Sequence, residues 1–343
     1  MNDDSPGKIL DSSVDDVVRA TTDRLAKRAN EACLRLSDSS DREALHDFRV
    51  NVRRLETVLR AFNPKGSTTE RLNESLKNLI RRSNKARDAE VMLDWLSVQN
   101  VDSSVRTEVG VDWLVARMRR RREKVSAKVY ARIMRDWQIA EKRMKKLNKK
   151  PRYDTSHSFG EESGELIVRY CERLSDHVRS LDQQWSDKTF HKVRLEIKRL
   201  RYLLEPLEKH TTDIGDTIIE LKKVQDAFGA LRDSLTAIEI ITEHVERAAG
   251  AHARRTINMI LEQEGAGDGY VPEEDIPDPA IGLKELLSHA ARRHKGLMDT
   301  IRNQYLNGSL GALISTVRGI GGDLQNQIAR RRADQDGSVL HVA

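Results

Sequence analysis

Two stretches decide the fold of this chain: HDFRVNVRRLETVLRAF at His46–Phe62 and HKVRLEIKRLRYLLEPL at His191–Leu207. They align without a gap at an offset of 145 residues, because 191 − 46 = 145. Such self-similarity at a fixed offset predicts an internal repeat. Identical residues recur at the position pairs His46/His191, Arg49/Arg194, Arg54/Arg199, Leu55/Leu200 and Leu59/Leu204.

The segment that follows each stretch obeys the same offset. Leu76-Lys77 matches Leu221-Lys222, and Arg87-Asp88 matches Arg232-Asp233. Two separate segments that share one offset are hard to obtain by chance. They predict two equivalent helical halves related by a pseudo-twofold axis.

Both stretches have the periodicity of an amphipathic helix. At about 100° per residue, four cationic side chains of the first copy fall within about 60° of one another, opposite an apolar stripe. A merely solvated face mixes charges of both signs, whereas these four have no acid among them, so we predict an anion-binding edge. The four are His46, Arg49, Arg53 and Arg60, opposite Phe48, Val52, Leu55, Leu59 and Phe62; in the second copy, His191, Arg194 and Lys198 lie opposite Val193, Ile197, Leu200, Leu204 and Leu207.

The composition favours helices over sheets. Of the 343 residues, 38% are hydrophobic and 33% are charged, and only 7 are proline. Such a chain can supply the narrow apolar stripes of helix bundles but too little for a broad sheet core. We therefore predict an all-α protein. Its predicted parts are a disordered N-terminus at 1–9, a first helical repeat at 10–148, a linker at 149–164, a second helical repeat at 165–332 and a disordered tail at 333–343. Helices are expected near 13–37, 41–62, 68–100, 103–148, 165–183, 187–210, 213–248, 251–263, 283–306 and 309–332.

Positive charge is concentrated in one segment. The whole chain carries a net charge of +6, but residues 117–150 hold fifteen Lys and Arg against three acids, which makes +12. A localised excess of this kind indicates an anion site, since charge that serves only solubility is spread out. Six of the cations recur at steps of three and four along about 27 Å of predicted helix. They are Arg117, Arg121, Lys124, Lys128, Arg132 and Arg135.

Cysteine usage and hydropathy predict the compartment. Cys33 and Cys171 are the only cysteines, and neither has a CxxC or histidine companion, so we expect buried thiols in a reducing compartment. The acidic start MNDDSPGK lacks the apolar core of a secretory signal. No apolar run approaches the ~20 residues of a membrane span. A cytoplasmic location without membrane association is expected.

The duplicated pattern H-x-x-R-x-x-x-[RK]-R-L, followed in each half by a helix with an Arg-Asp pair, resembles the CHAD family (conserved histidine α-helical domain). The resemblance runs from about residue 10 to residue 330. It implies two pseudosymmetric antiparallel helical bundles with a basic central surface or pore. It also implies binding of inorganic polyphosphate, with association with polyphosphate granules. The anion-contacting positions that it carries over are His46, Arg49, Arg53, Arg54, His191, Arg194, Lys198, Arg199 and Arg201.

One position departs from the symmetry of the repeat, because Glu56 stands where the second copy has Arg201. We expect weaker binding along that edge of the first half. Further cations are predicted to extend the polyphosphate-binding surface, and no cofactor or metal is expected. These cations are Lys77, Arg81, Arg117, Arg121, Lys124, Lys128, Arg132, Lys222, Lys223, Arg292 and Arg293.

Two other function classes were weighed against this prediction. Catalysis is disfavoured, because the chain has no ExExK triphosphatase strand, P-loop or zinc spacing. Glu43 and His46 fit the ExxH of a di-iron bundle, but the position equivalent to Glu43 is Lys188. Sequence-independent nucleic-acid binding stays as the alternative. The aromatic content of 4% argues against stacking platforms for single strands.

Overall fold

The computed structural model describes residues 8–38, 40–41, 43–62, 67–98, 105–149, 157–208, 212–263 and 278–339. Throughout these residues the chain is helical, with no strand beyond a single isolated bridge, which confirms the all-α prediction. A 3-10 turn, Glu205–Leu207, follows α7, and a π-helical turn, Arg302–Leu306, joins α9 to α10. The helices are α1 (Lys8–Asp11), α2 (Val14–Arg35), α3 (Ala44–Phe62), α4 (Ser67–Ser97), α5 (Val105–Leu147), α6 (Phe159–Gln183), α7 (Asp187–Leu204), α8 (Thr212–Gln263), α9 (Pro279–Ile301) and α10 (Ser309–Val339).

Helix α6 begins six residues before its predicted start, inside the segment predicted to be a linker. Ser158 and Glu161 form a capping box, in which each side chain accepts from the backbone of the other residue. Gly160 and Gly164 indicated a break, but both are buried within α6. A Cβ at Gly164 would lie 2.6 Å from the carbonyl oxygen of Gly321 in α10. Glycine here permits close helix packing rather than ending a helix.

Other predicted helix ends also differ from the structure. The predicted break between 248 and 251 is wrong, because α8 continues through Gly250 as one helix. An interior glycine costs a helix only about 1 kcal/mol relative to alanine, and the neighbouring Ala248 is buried in a packed core. Helix α1 lies partly within the predicted disordered N-terminus, and α10 continues past residue 332. The predictions for residues 1–7 and 340–343 lie outside the described residues.

The chain divides into two compact units that do not coincide with the sequence halves. The first unit comprises the described residues up to 83, those in 130–228 and those from 301 onward. The second unit comprises those in 84–129 and in 229–300. Helices α4, α5 and α8 each contribute to both units. Each unit therefore draws on both predicted repeats.

In the first unit, the apolar stripes of both predicted repeat helices form the core, as predicted. Phe48, Val52 and Leu55 of α3 are completely buried, and so are Val193 and Ile197 of α7. Pairs of aromatic rings also pack in this unit. The ring pairs are Phe48 edge-on to Trp137 at 5.6 Å, and Phe190 stacked on Phe228 at 5.0 Å.

The second unit has its own apolar core, built from α4, α5, α8 and α9. Leu114, Ile241 and Leu283 are among its completely buried side chains. Gly110 lets α5 approach α9, because a Cβ there would lie 2.6 Å from the backbone nitrogen of Leu283. Each unit therefore has an apolar core of its own.

A short contact joins the starts of α2 and α6. Ser13 and Ser158 are the N-caps of these helices and form an isolated antiparallel bridge. Their separation is 158 − 13 = 145, the offset of the sequence repeat. An antiparallel bridge between equivalent residues is what a local twofold axis generates. This supports the predicted pseudo-twofold relation, which stays a prediction along with the central pore.

Candidate anion-binding site

Four arginines line a cavity of about 360 Å³ in the first unit. Arg24 and Arg28 come from α2, Arg54 from α3 and Arg201 from α7. We call this cavity the arginine pocket. Its other lining residues are Thr21, Leu25, Val58, Tyr202, Glu205, Pro206, Glu208 and Ile218.

Two of the arginines converge on one carboxylate. Arg54 Nη2 lies 3.1 Å from Glu205 Oε1, and Arg201 Nη1 donates to the same oxygen. Arg201 Nε also donates to Gln225 Oε1 at 3.0 Å. The guanidinium groups of Arg54 and Arg201 lie 5.4 and 4.7 Å from the ring centroid of Tyr202. An aromatic face and an acid thus hold two like charges together.

The other two arginines of the pocket do not pair with Glu205. Arg24 and Arg28 are exposed and lie one turn apart on α2. Neither forms an ion pair with any residue that the structure describes. With Glu205 and Glu208 as its acidic lining residues, the pocket has four positive charges against two negative ones.

The motif residues of α3 take different positions. Arg49 is buried, with 9% exposure, and its guanidinium donates to the Ile80 carbonyl at 2.9 Å and to the Ser83 hydroxyl. It therefore ties α3 to α4 and does not present its charge to solvent. His46 and Arg53 are half-buried, whereas Arg54 reaches the pocket.

In α7 the motif residues are again divided. His191 is exposed, while Arg194 and Lys198 are half-buried. Arg199 pairs with Glu196 at 2.7 Å, and this carboxylate is only 2% exposed. Arg173 of α6 holds the same Glu196 at 2.7 Å. Arg199 therefore compensates a buried acid, and Arg201 is the α7 residue that reaches the pocket.

The position that breaks the repeat forms an ion pair in both copies, with the charges exchanged. In α3, Arg60 Nε lies 3.1 Å from Glu56 Oε1. At the equivalent positions, Arg201 pairs with Glu205. The expectation of an edge without acids is therefore wrong at Arg60, because Glu56 shares that edge one turn earlier.

The other predicted cations of the first unit are solvent-facing. Lys223 pairs with Glu220 at 2.6 Å, and Arg81 hydrogen-bonds to Asn78. Lys124 and Lys128 belong to the second unit, and their side chains lie outside the described part of the chain. The exposed cations are Lys77, Arg81, Arg132, Lys222 and Lys223.

A different arrangement holds Arg117 in the second unit. Its guanidinium lies 3.9 Å from the ring centroid of Trp113, and Trp113 meets His244 edge-on at 6.0 Å. Burial, then repulsion from neighbouring arginines, lowers the pKa of Arg117. These neighbours are Arg120, Arg247 and Arg255, and we call the four arginines with Trp113 the stacked cluster. Of the remaining predicted cations, Arg121 is half-buried and Arg292 and Arg293 are exposed in this unit.

Sequence reasoning missed Arg24, Arg28, Glu205 and Gln225. On α2 the two arginines alternate with acids such as Asp23, which is the pattern of an ordinary solvated helix. Glu205 stands opposite Arg60 in the aligned repeat, where the charge is reversed. No local signal identified these residues, because the pocket exists only where α2, α3 and α7 meet.

Within the described ranges, no group of three or more His, Cys, Asp and Glu side chains could hold a metal ion. No described helix combines the length and hydropathy that a membrane span requires. Burial raises the pKa of both Cys33 and Cys171 to about 12, with a nearby Glu141 adding to the effect at Cys33.

The chain is similar to known proteins both in sequence profile and in fold. The sequence profile of the CHAD domain matches residues 17–242. The crystal structure of the CHAD domain from the plant Ricinus communis superposes with a TM-score of 0.58 and 18% identity, covering 90% of this chain and 92% of that one. PptA from Streptomyces chartreusis superposes with a TM-score of 0.56 and 16% identity, covering 85% of this chain and 99% of that one.

No curated protein sequence matches the chain. At 16–18% identity the two solved structures show a shared fold and nothing more specific. The profile match is stronger in kind, because it spans more than half of the 343 residues. The chain belongs to the CHAD domain family.

Proposed function

We propose that this protein binds inorganic polyphosphate without catalysing a reaction on it, and that the arginine pocket is the principal contact. One observation carries the proposal: arginines from three helices line a single cavity, and Arg54 and Arg201 come from the two predicted repeat helices. Membership of the CHAD family agrees with this substrate class.

The chemistry of the pocket suits a phosphate chain. A guanidinium offers two parallel donors to phosphate oxygens, so Arg24 and Arg28 at the exposed rim can each bind one phosphate bidentately. Polyphosphate carries about one charge per phosphate and releases its counterions when cations replace them. The affinity should therefore fall steeply as salt rises.

Nucleic acid is the competing ligand that shares this phosphate chemistry. Single-stranded nucleic acid usually gains affinity from bases stacked on aromatic rings. In the arginine pocket the one aromatic residue is Tyr202, which is 7% exposed and already faces two guanidinium groups. We expect polyphosphate to displace single-stranded DNA of equal charge.

We also propose that the protein is cytoplasmic, either free or attached to polyphosphate granules.

The deciding experiment reverses the rim charges. Arg24→Glu with Arg28→Glu should weaken binding of long-chain polyphosphate by at least about tenfold, because two attractive contacts become repulsive. The fold should persist, since both side chains are exposed and form no ion pair with a described residue. Calorimetric titration at two salt concentrations measures both the affinity and its salt dependence.

A matched control has the same spacing and the same change of charge. Lys142 and Lys146 are exposed on α5, four residues apart, and do not line the pocket. Lys142→Glu with Lys146→Glu should weaken binding far less than the rim variant. Equal losses in the two variants would show that only overall charge matters. Absence of binding to the wild type would reject the proposed function itself.

A further inference from the structure

We infer that Glu205 is an internal competitor for the anion: its carboxylate occupies the place of a phosphate group between Arg54 and Arg201 until the ligand displaces it. The inference rests on the proposed function and adds a regulatory residue to the same pocket. It makes Glu205 a determinant of affinity, because an anion that binds between Arg54 and Arg201 must replace both ion pairs.

The geometry of the carboxylate supports this role. A single oxygen, Glu205 Oε1, accepts hydrogen bonds from Arg54, at 3.1 Å, and from Arg201. Converging guanidinium groups around one anionic oxygen are also the arrangement by which proteins hold phosphate. Without an anion between them, two guanidinium groups beside one tyrosine ring would repel each other.

The arginines are held in place by contacts other than Glu205. Gln225 fixes Arg201 through its Nε at 3.0 Å. The ring of Tyr202 lies beside both guanidinium groups and is itself only 7% exposed. The pocket can therefore keep its shape when the carboxylate leaves.

The Glu205 carboxylate keeps contact with solvent. The Glu205 side chain is 25% exposed and starts the 3-10 turn at the edge of the cavity. Rotation toward solvent restores its hydration, so leaving the pocket costs little more than the ion pair. Since the Arg201 side chain is only 11% exposed, a phosphate must offer both guanidinium groups equivalent charge-assisted contacts to replace the carboxylate.

The chain offers a matched control for this inference. Glu56 pairs with Arg60 at 3.1 Å in α3, also at a spacing of four residues. It does not line the arginine pocket. Replacing either glutamate by glutamine removes one negative charge, together with one ion pair at Glu56 and two ion pairs at Glu205. Only the Glu205 replacement also removes a competitor from the pocket.

Glu205→Gln should bind long-chain polyphosphate about fivefold more tightly than wild type, which corresponds to about 1 kcal/mol. Glu56→Gln should stay within about twofold, the long-range effect of one charge at moderate salt. Glu205→Asp keeps the charge on a shorter side chain and tests whether reach matters. Titration calorimetry measures the affinities, and thermal unfolding without ligand records any loss of stability.

The possible outcomes separate two roles for Glu205. If Glu205→Gln binds with unchanged or lower affinity while its unfolding midpoint falls, Glu205 is a structural clamp and the inference is overturned. If both glutamine variants gain affinity equally, the effect is one of net charge and the inference also fails. In either case binding by the wild type would leave the proposed function intact.

Discussion

The arginine pocket and the stacked cluster keep like charges close together by different means. In the pocket, Arg54 and Arg201 share the carboxylate of Glu205. In the stacked cluster, Arg117 lies over the face of Trp113 while other arginines surround it. A carboxylate can be replaced by a phosphate, because both are anions. An indole ring cannot be replaced in this way, and we therefore propose the pocket rather than the stacked cluster as the binding site.

The comparison also shows why a count of cations does not locate a site. The segment 117–150 has the highest density of positive charge in the sequence. Yet Arg117 turns its guanidinium to an aromatic face, and its buried Nε makes no hydrogen bond to a described residue. The pocket draws only four arginines, but it draws them from three helices. Arginines that converge from several helices can contact one ligand together.

The largest expected effect is the low thiol reactivity of the first unit, which holds both cysteines. Cys33 and Cys171 lie in the first unit, and burial raises the pKa of each thiol from 9.0 to about 12. At pH 8 the thiolate fraction is then about a thousandfold lower than for an ordinary cysteine. We expect labelling by Ellman's reagent to be at least that much slower in the folded chain than in guanidinium chloride.

Labelling therefore reports on opening of the unit that holds the arginine pocket. Cys33 lies on α2, the helix that also carries Arg24 and Arg28. Saturating polyphosphate should slow the labelling further, because a ligand stabilises the unit to which it binds. Rapid labelling of the native chain would contradict the burial of the thiols.

Charge reversal in the stacked cluster should weaken binding less than charge reversal at the rim of the arginine pocket. Arg117→Glu with Arg120→Glu should weaken polyphosphate binding by no more than about threefold, the general effect of lost positive charge at moderate salt. The rim variant of the pocket changes the charge by the same amount and should lose at least about tenfold. Calorimetric titration of both variants measures the ratio. A larger loss in the stacked cluster would make that cluster the principal site.

The smallest effect concerns the pH dependence of the second unit. His244 is 2% exposed, and its Nδ1 lies 2.8 Å from the Ile240 carbonyl oxygen. Burial lowers the pKa of His244 below 6.5, with the hydrogen bond and Glu243 opposing the shift and Arg247 and Arg121 contributing to it. The unfolded chain then binds more protons near pH 6.5 than the folded one. The contribution of His244 to the stability is therefore fully present above pH 6.5 and is lost as the pH falls below it.

His244→Leu should remove this loss. We expect the unfolding midpoint of the wild type to fall by a few degrees more than that of the variant between pH 7 and pH 5. Scanning calorimetry at several pH values measures the difference. Parallel pH profiles for the two proteins would show that His244 does not control the acid sensitivity.

The sequence allowed much of the fold to be predicted. The apolar stripes of α3 and α7 are buried as their periodicity indicated, and α2 begins after Ser13, whose side chain accepts from the Asp16 backbone. Capping and periodicity are local, so they can be read from neighbouring residues. Gly164 lies inside α6 rather than at its end, because the backbone of Gly321 in α10 packs against it.

The candidate site could be predicted only in part. Arg54 and Arg201 follow from the duplicated motif, and both reach the pocket. Arg49 belongs to the same motif but hydrogen-bonds to the Ile80 carbonyl of α4. A wheel of α3 places both arginines near the polar edge, and only the position of the next helix decides which one is covered.

The sequence by itself determined the helical class, the family and the two motif helices, since all three depend on residue type and spacing along one chain. Only the tertiary structure decided that Arg24 and Arg28 join Arg54 and Arg201 around one cavity, and that Glu205 compensates two of them. The physical reason is that charge acts through space. Whether a guanidinium meets an acid, an aromatic ring or solvent depends on neighbours that are distant in the chain. Glu205, for example, is 151 residues from Arg54.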